Sequence, residues 1–155
     1  DHPEAHLSFI ESGALKNGRT LRDIDLCVSA RVEIGDDLDA MIDKRRAAVA
    51  FNMGGMGSAD TNFYNDAFKR AGYAEEASII QALWLAGKRD EAAKRVPDAM
   101  ITEFQLLGPK DQVKSRIQRY KEAGVTTLKL GLDGAGPLGR GRFELLEEIV
   151  DLVTE

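Results

Sequence analysis

The sequence is poor in the residues that build metal, disulfide and stacking chemistry. Cys27 is the only cysteine among 155 residues. One thiol closes no internal disulfide and supports no multi-cysteine zinc cluster, so a reducing cytoplasm is the expected location. The two histidines, His2 and His6, are four apart on an expected helix but have no third ligand in view, so no metal site is expected. Aromatic residues make up 6%, too few for a base-stacking surface. The 21 basic against 26 acidic residues give a net charge of −5, which repels a phosphate backbone, and no nucleic-acid partner is expected. No apolar run approaches the roughly 18 residues that span a bilayer, so no membrane partner is expected either. The opening Asp1-His2-Pro3-Glu4 is no leader peptide, and the missing initiator methionine is read as processing or a cut. No Ser-His-Asp set and no paired-carboxylate site stands out.

What is present is periodicity. Residues 3–17 read as a helix with Pro3 in its first turn, Gly18 as its stop, and Leu7, Ile10, Ala14 and Leu15 on one stripe. Residues 24–34 alternate strictly. Ile24, Leu26, Val28, Ala30, Val32 and Ile34 share one face, and Asp25, Cys27, Ser29, Arg31 and Glu33 share the other, which predicts a strand. A helix over 37–52 follows, with Leu38, Met41, Ile42, Arg45 and Val49 near one stripe. Short helices are expected from 60 to 103, with Gly72 and Gly87 as C-terminal stops and Pro97 opening another. Phe104–Leu107 reads as a short buried strand, 110–123 as a helix stopped by Gly124, and 125–132 as a strand. The last helix, 142–154, carries Phe143, Leu146, Ile149, Val150 and Val153.

Strands alternating with helices predict βαβ units and a parallel sheet. Parallel strands are usually covered on both faces and uniformly apolar. Here one face of each clear strand is polar: Cys27, Ser29, Arg31 and Glu33 on the first, Thr127 and Lys129 on the last, with Asp133 beyond. Such a face either sees water, as in an open sheet, or lines a polar cavity, as at the mouth of a barrel.

An ordered series of segments carries a family resemblance. Asn52-Met-Gly-Gly-Met-Gly-Ser58 is followed by Asn62-Phe-Tyr-Asn-Asp66, and Asp23-Ile-Asp-Leu26 leads into a strand ending Val32-Glu-Ile-Gly-Asp-Asp37. Leu106-Leu-Gly-Pro-Lys-Asp-Gln-Val113 and Tyr120-Lys-Glu-Ala-Gly-Val-Thr-Thr-Leu128 complete the series. Together they resemble the bacterial luciferase-like monooxygenase superfamily, in the branch that uses the deazaflavin coenzyme F-420. The resemblance implies an α/β fold, the C-terminal part of a (β/α)8 TIM barrel: three parallel strands, numbered 6 to 8 of the barrel, with covering helices and a helical insertion over 54–103. It implies a single incomplete barrel domain over 1–155, because a whole barrel needs about 250 residues. The implied activity is hydride transfer between coenzyme F-420, or alternatively FMN, and a small organic substrate. Much of the family's site comes from earlier strands, so the chain alone is expected to be inactive and to bind no coenzyme tightly. A complementary N-terminal half or a second copy is the expected partner. The rival is a non-catalytic half-barrel that self-associates through exposed sheet edges.

Candidate site residues follow from the barrel's carbonyl end, where ligands bind. Ser29 and Arg31 face the implied interior, Arg31 either holding an anion or pairing with Glu33. Gly108 and Lys110 open a helix whose free N–H groups favour an anion, although Asp111 could cap those groups instead. Gly134–Arg142 spells G-x-G-x-x-G, but neither a further strand nor an acidic residue about 20 positions on follows, so the dinucleotide reading fails. That leaves Arg140 and Arg142 as partners for a phosphate or carboxylate. Gly54, Gly55, Met56, Gly57 and Ser58 form no Walker loop, and are expected either to approach the coenzyme as a lid or simply to break the helix. Asn62, Tyr64 and Asn65 are candidates for local capping, Trp84 for an anchor of the insertion, and Cys27 for a small buried residue.

Overall fold

A computed structural model describes residues 4–58, 60–132 and 140–154. The contacts divide the chain into two compact units, one holding the residues up to Met41 and from Phe104 onward, the other Ile42–Glu103. Helix α1 (Glu4–Leu15) and a 3-10 turn (Leu21–Asp23) lead into strand β1 (Cys27–Ile34). Helix α2 (Leu38–Gly54) enters the second unit, which continues through α3 (Phe63–Arg70), α4 (Ala74–Leu85), α5 (Arg89–Lys94) and α6 (Asp98–Thr102). The first unit resumes with β2 (Leu106–Gly108), α7 (Lys110–Glu122), β3 (Thr127–Leu132) and α8 (Arg140–Thr154). Gly18, Gly72, Gly87 and Gly124 end their helices with positive φ, as the stops they were expected to be.

The three strands are parallel, as the alternation of strands and helices requires. Their order is not that of three successive barrel strands, which would pair in chain order. The order is β2-β1-β3. β1 pairs with β3 over six residues, Cys27 with Thr127 through Val32 with Leu132. β2 touches only the C-terminal end of β1, over Val32, Glu33 and Ile34. The neighbouring pair is therefore β1 and β3. Everything between them in the chain is one long crossover, and β2 is a short flanking strand.

One face of this sheet is the core. Ala30 and Val32 of β1, Leu106 of β2, Val113 and Ile117 of α7 and Ile149 of α8 are buried together, with Leu130, Leu132, Leu145 and Leu152 packed around them. The inner stripe of α7 is the expected one. That of α8 is not: Leu145, Ile149 and Leu152 face the core, whereas Phe143 is 73% and Val150 51% exposed. An amphipathic helix with two apolar stripes can turn only one of them to the sheet, and here it is the stripe of Leu145, Ile149 and Leu152.

The sheet's lower end is fastened by a polar clamp. The hydroxyls of Thr126 and Thr127 both donate to Asp25 Oδ1, at 2.5 and 2.7 Å, and the Leu26 N–H donates to Thr126 Oγ1 at 2.8 Å. These donors, the Thr126 bond foremost and then Thr127, hold the Asp25 carboxyl below its usual 3.8 despite some desolvation. A carboxyl depressed in the fold stabilises it above the unfolded-state pKa, and that contribution is lost as pH falls through the folded value. Asp25→Ala should therefore lower the melting temperature at neutral pH, with the gap to the parent closing as pH drops below 3.8. Thermal melts by circular dichroism would show it; a gap that stays constant with pH would show that the clamp carries no charge-dependent stability.

Candidate functional site

The second face of the sheet is exposed along most of β1 and β3, and among the described strands Leu107 of β2, in register with Glu33, is the buried side chain on it. Cys27, Ser29 and Arg31 on β1 and Thr127 and Lys129 on β3 are exposed, while Glu33 and Gly131 are half-buried. Cys27 is thus exposed and not the small buried residue expected, because it stands at the N-terminal end of this face, away from the buried Leu107. The pairing register sets Ser29 directly beside Lys129 and Arg31 directly beside Gly131. The absence of a side chain at Gly131 has a visible use. An added Cβ there would stand 2.9 Å from Arg31 Cδ and 3.3 Å from its Nε, so the arginine lies across the glycine. Glycine inside a strand often marks such a close approach, which is the signal by which Gly131 could have been found from sequence.

Gly108 ends β2 with φ +108° and accepts a hydrogen bond from the Gly35 N–H at 3.1 Å. Helix α7 opens after it at Pro109 without a side-chain cap, and the Gln112 amide lies over Gly108. Asp111 is not needed to explain that helix start. Lys110 is ion-paired to Glu148 of α8, which raises its pKa through the hydrogen bond first and the charge second. The cleft there, of about 680 Å³, is lined by Lys110 together with Glu144, Glu147, Glu148 and Asp151. Four carboxylates against one ammonium disfavour an anion, so the geometry gives Lys110 a structural partner instead of a ligand. Arg142 is exposed in the first turn of α8. The side chain of Arg140 and the loop before it, 133–139, lie outside the described residues.

In the second unit the glycines at and just after the end of α2 answer to packing. A Cβ on Gly54 would fall 2.2 Å from Trp84 Cβ, and one on Gly55 would fall 2.6 Å from Phe51 Cδ2. Trp84, expected to anchor the insertion helices to the core, meets Phe51 edge-to-face at 5.6 Å and carries Arg89 over its ring at 5.3 Å, both within this unit. Gly57, at φ +103°, passes so close to Thr61 O that no side chain fits. Met56 is half-buried and Ser58 exposed, the Ser58 Oγ accepting from the Thr61 N–H at 3.0 Å. Asn62 caps α3 through Asn65 N, and its amide donates to Met53 O at 2.8 Å, closing the end of α2. The Asn65 amide donates to Met53 O and Ala77 O. Asn62 thus does the local capping that one reading expected, whereas Asn65 ties α3 to the end of α2 and to α4. Sequence reasoning missed Arg46, which binds Asp43, Val96 O and Asp98 and ties α2 to the start of α6.

The family model for luciferase-like monooxygenases matches residues 1–127. The chain belongs to this family. A coenzyme F-420-dependent oxidoreductase of Mycobacterium tuberculosis is 32% identical over 77% of the chain and 35% of its own length. The 5,10-methylenetetrahydromethanopterin reductases of Methanopyrus kandleri and Archaeoglobus fulgidus are each 31% identical, over 93% and 90% of the chain and 38% and 40% of their own lengths. The solved structure of the coenzyme F-420-dependent tetrahydromethanopterin reductase of Methanopyrus kandleri superposes with a TM-score of 0.60 at 31% identity, covering 87% of the chain and 37% of that structure. This luciferase-like chain thus spans well under half the length of the relatives it matches. Its fold is the α/β class expected, a three-stranded parallel sheet with covering helices, and its relatives are F-420-dependent oxidoreductases.

Packing around Gly54 makes a prediction for the luciferase-like chain. Gly54→Ala should destabilise it by about 2 kcal/mol, read as a lower urea midpoint, because the new methyl overlaps Trp84 and must displace it. An unchanged midpoint would show that this contact is loose.

Proposed function

We propose that the chain is the C-terminal part of an F-420-dependent oxidoreductase barrel, transferring hydride between the coenzyme and a small organic substrate. The observation that carries this reading is the open polar face of β1 and β3 in a chain whose relatives are F-420-dependent. F-420 supplies the hydride chemistry when bound; the chain's part is to bind and orient. The donor set fits such a group. The Ser29 hydroxyl and the Arg31 and Lys129 cations suit its anionic side arm, and Gly131 leaves a cradle that a Cβ would fill. Gly108, at the end of β2, and Arg142, at the start of α8, are the further contacts proposed from this unit. Residues 54–103 are proposed as the helical insertion of one incomplete barrel domain, with Gly54–Ser58 at its start. FMN is the alternative coenzyme, and the cytoplasm the proposed location; among the described residues no helix is long and apolar enough to cross a membrane.

The second reading is a half-barrel that associates without catalysis. What favours it, or equally a complementary N-terminal half as partner, is the outward stripe of α8. Phe143, Leu146, Val150 and Val153 are 73%, 40%, 51% and 36% exposed. The outer edges of β2 and β3 are unpaired among the described strands as well.

Two measurements test these readings. The purified chain should perturb F-420 fluorescence weakly or not at all; a submicromolar dissociation constant would contradict the view that most of the coenzyme's contacts lie elsewhere in the barrel. Light scattering should give a mass of at least twice the 17.0 kDa of one chain, and a clean monomer would remove the self-association reading.

A further inference from the structure

We propose that Asn17, in the Asn17-Gly18 turn that closes α1, is a site of spontaneous deamidation, admitted to reaction by opening of the helix's last turn. The site is independent of the coenzyme reading. The chemistry needs only the chain and water. The Gly18 backbone nitrogen attacks Cγ of Asn17, a C–N bond forms and the Cγ–Nδ2 bond breaks. The leaving nitrogen takes up the Gly18 proton and departs as ammonia. Water then opens the cyclic imide at either carbonyl and leaves aspartate or isoaspartate at position 17, with nothing oxidised or reduced. Of the four asparagines, Asn17 alone precedes a residue without a side chain, so there alone is the attacking nitrogen unshielded. Met53 follows Asn52, Phe63 follows Asn62 and Asp66 follows Asn65. Asn62 and Asn65 are buried as well, and their amides donate to the carbonyls of Met53 and Ala77.

Asn17 and Gly18 are both exposed, but in the closed turn neither reacting group is free to move. The Asn17 amide donates to Gly13 O at 3.3 Å, and the Gly18 N–H donates to Leu15 O at 3.1 Å. Leaving group and nucleophile are thus both tied to the helix end, so reaction proceeds from an opened turn. That opening is easy. Among the described residues of α1, Ala14 alone is buried, and Phe9 and Leu15 are 68% and 62% exposed. A helix with so little apolar contact lies at the low end of local stability. Gly13 weakens the same turn from within, glycine being the poorest helix former after proline. A Cβ there would meet nothing within 4 Å, so packing does not keep the position bare. The products do not restore the turn. Isoaspartate lengthens the backbone between positions 17 and 18 by a methylene, which moves the Gly18 and Arg19 N–H groups off the carbonyls of Leu15 and Ala14. Either product also sets a carboxylate at the helix C-terminus, where the dipole disfavours one. Conversion therefore loosens the end of α1 irreversibly.

The test ages the whole chain in mildly alkaline buffer, folded and in guanidinium chloride, and follows acidic species by ion-exchange chromatography with peptide mapping. Isomerisation at Asp133-Gly134 adds no charge and does not register in that readout. One acidic species should form, map to Asn17 and accept a methyl group from an isoaspartyl methyltransferase. It should form about tenfold more slowly in the folded chain than in denaturant, because the turn's hydrogen bonds must open first. Asn17→Gln should abolish it in both states. Gly13→Ala should slow it by about threefold to fivefold more in the folded chain and leave the rate in denaturant unchanged. After conversion the Gly18 and Arg19 amides should exchange hydrogen faster, while those of Val113 and Ile117 in the core keep their rates. Conversion that maps to Asn52, Asn62 or Asn65 would overturn the site. Equal rates in the folded and denatured chain, or equal folded rates with and without Gly13→Ala, would overturn the gating by α1. A folded chain still unconverted after about a hundred half-lives of the denatured one would overturn both.

Discussion

The pairing of β1 with β3 is the constraint on which the first unit depends. It joins residues 101 positions apart, Asp25 and Thr126, through a clamp of hydroxyls on one carboxylate. Parallel pairing demands a crossover, and here the crossover is nearly the whole remainder of the chain between the two strands. The second unit, β2 and α7 all lie within it. Closing so long a loop costs entropy only slowly with length, so the cost is met by a short polar clamp and one apolar face. That face joins Ala30 and Val32 to Leu106, Val113, Ile117 and Ile149. β2 adds three residues of pairing at the C-terminal end of β1 and directs Gly108 and the start of α7 toward it.

The same alternation that builds the core leaves the opposite face polar. A parallel sheet with one open face is uncommon for a finished α/β domain. That open face is the observation on which the proposed ligand surface rests. The glycines divide along the same line. Gly54, Gly55 and Gly57 are explained by Trp84, Phe51 and the Thr61 carbonyl of their own unit, whereas Gly131 makes room for a charged side chain on the open face.

Much of the fold was legible in the sequence because its signals are local. Strict alternation from Ile24 to Ile34 announced β1, and Gly72, Gly87, Gly124 and Pro97 punctuated the helices where the structure has their ends. What was not legible is what depends on partners far along the chain. The exposure of Cys27 follows from an uncovered face, which alternation alone does not reveal. The choice between the two stripes of α8 depends on which side meets the sheet, and Leu145, Ile149 and Leu152 won over Phe143, Leu146 and Val150. The order β2-β1-β3 depends on register, which short apolar runs such as Leu106–Gly108 do not encode. At the candidate site, Ser29 and Arg31 could be placed on one face from parity. The ion pair that occupies Lys110 and the seat at Gly131 required the third dimension.

A sheet with one buried and one open face is the central claim, and Cys27 reports on it without any substitution. In the folded chain its thiol should react with a small aromatic disulfide reagent completely and at a rate close to that of the denatured chain, since the side chain stands exposed on the polar face. A thiol that reacts only after unfolding would mean that this face is covered, and would contradict the placement of a ligand surface there.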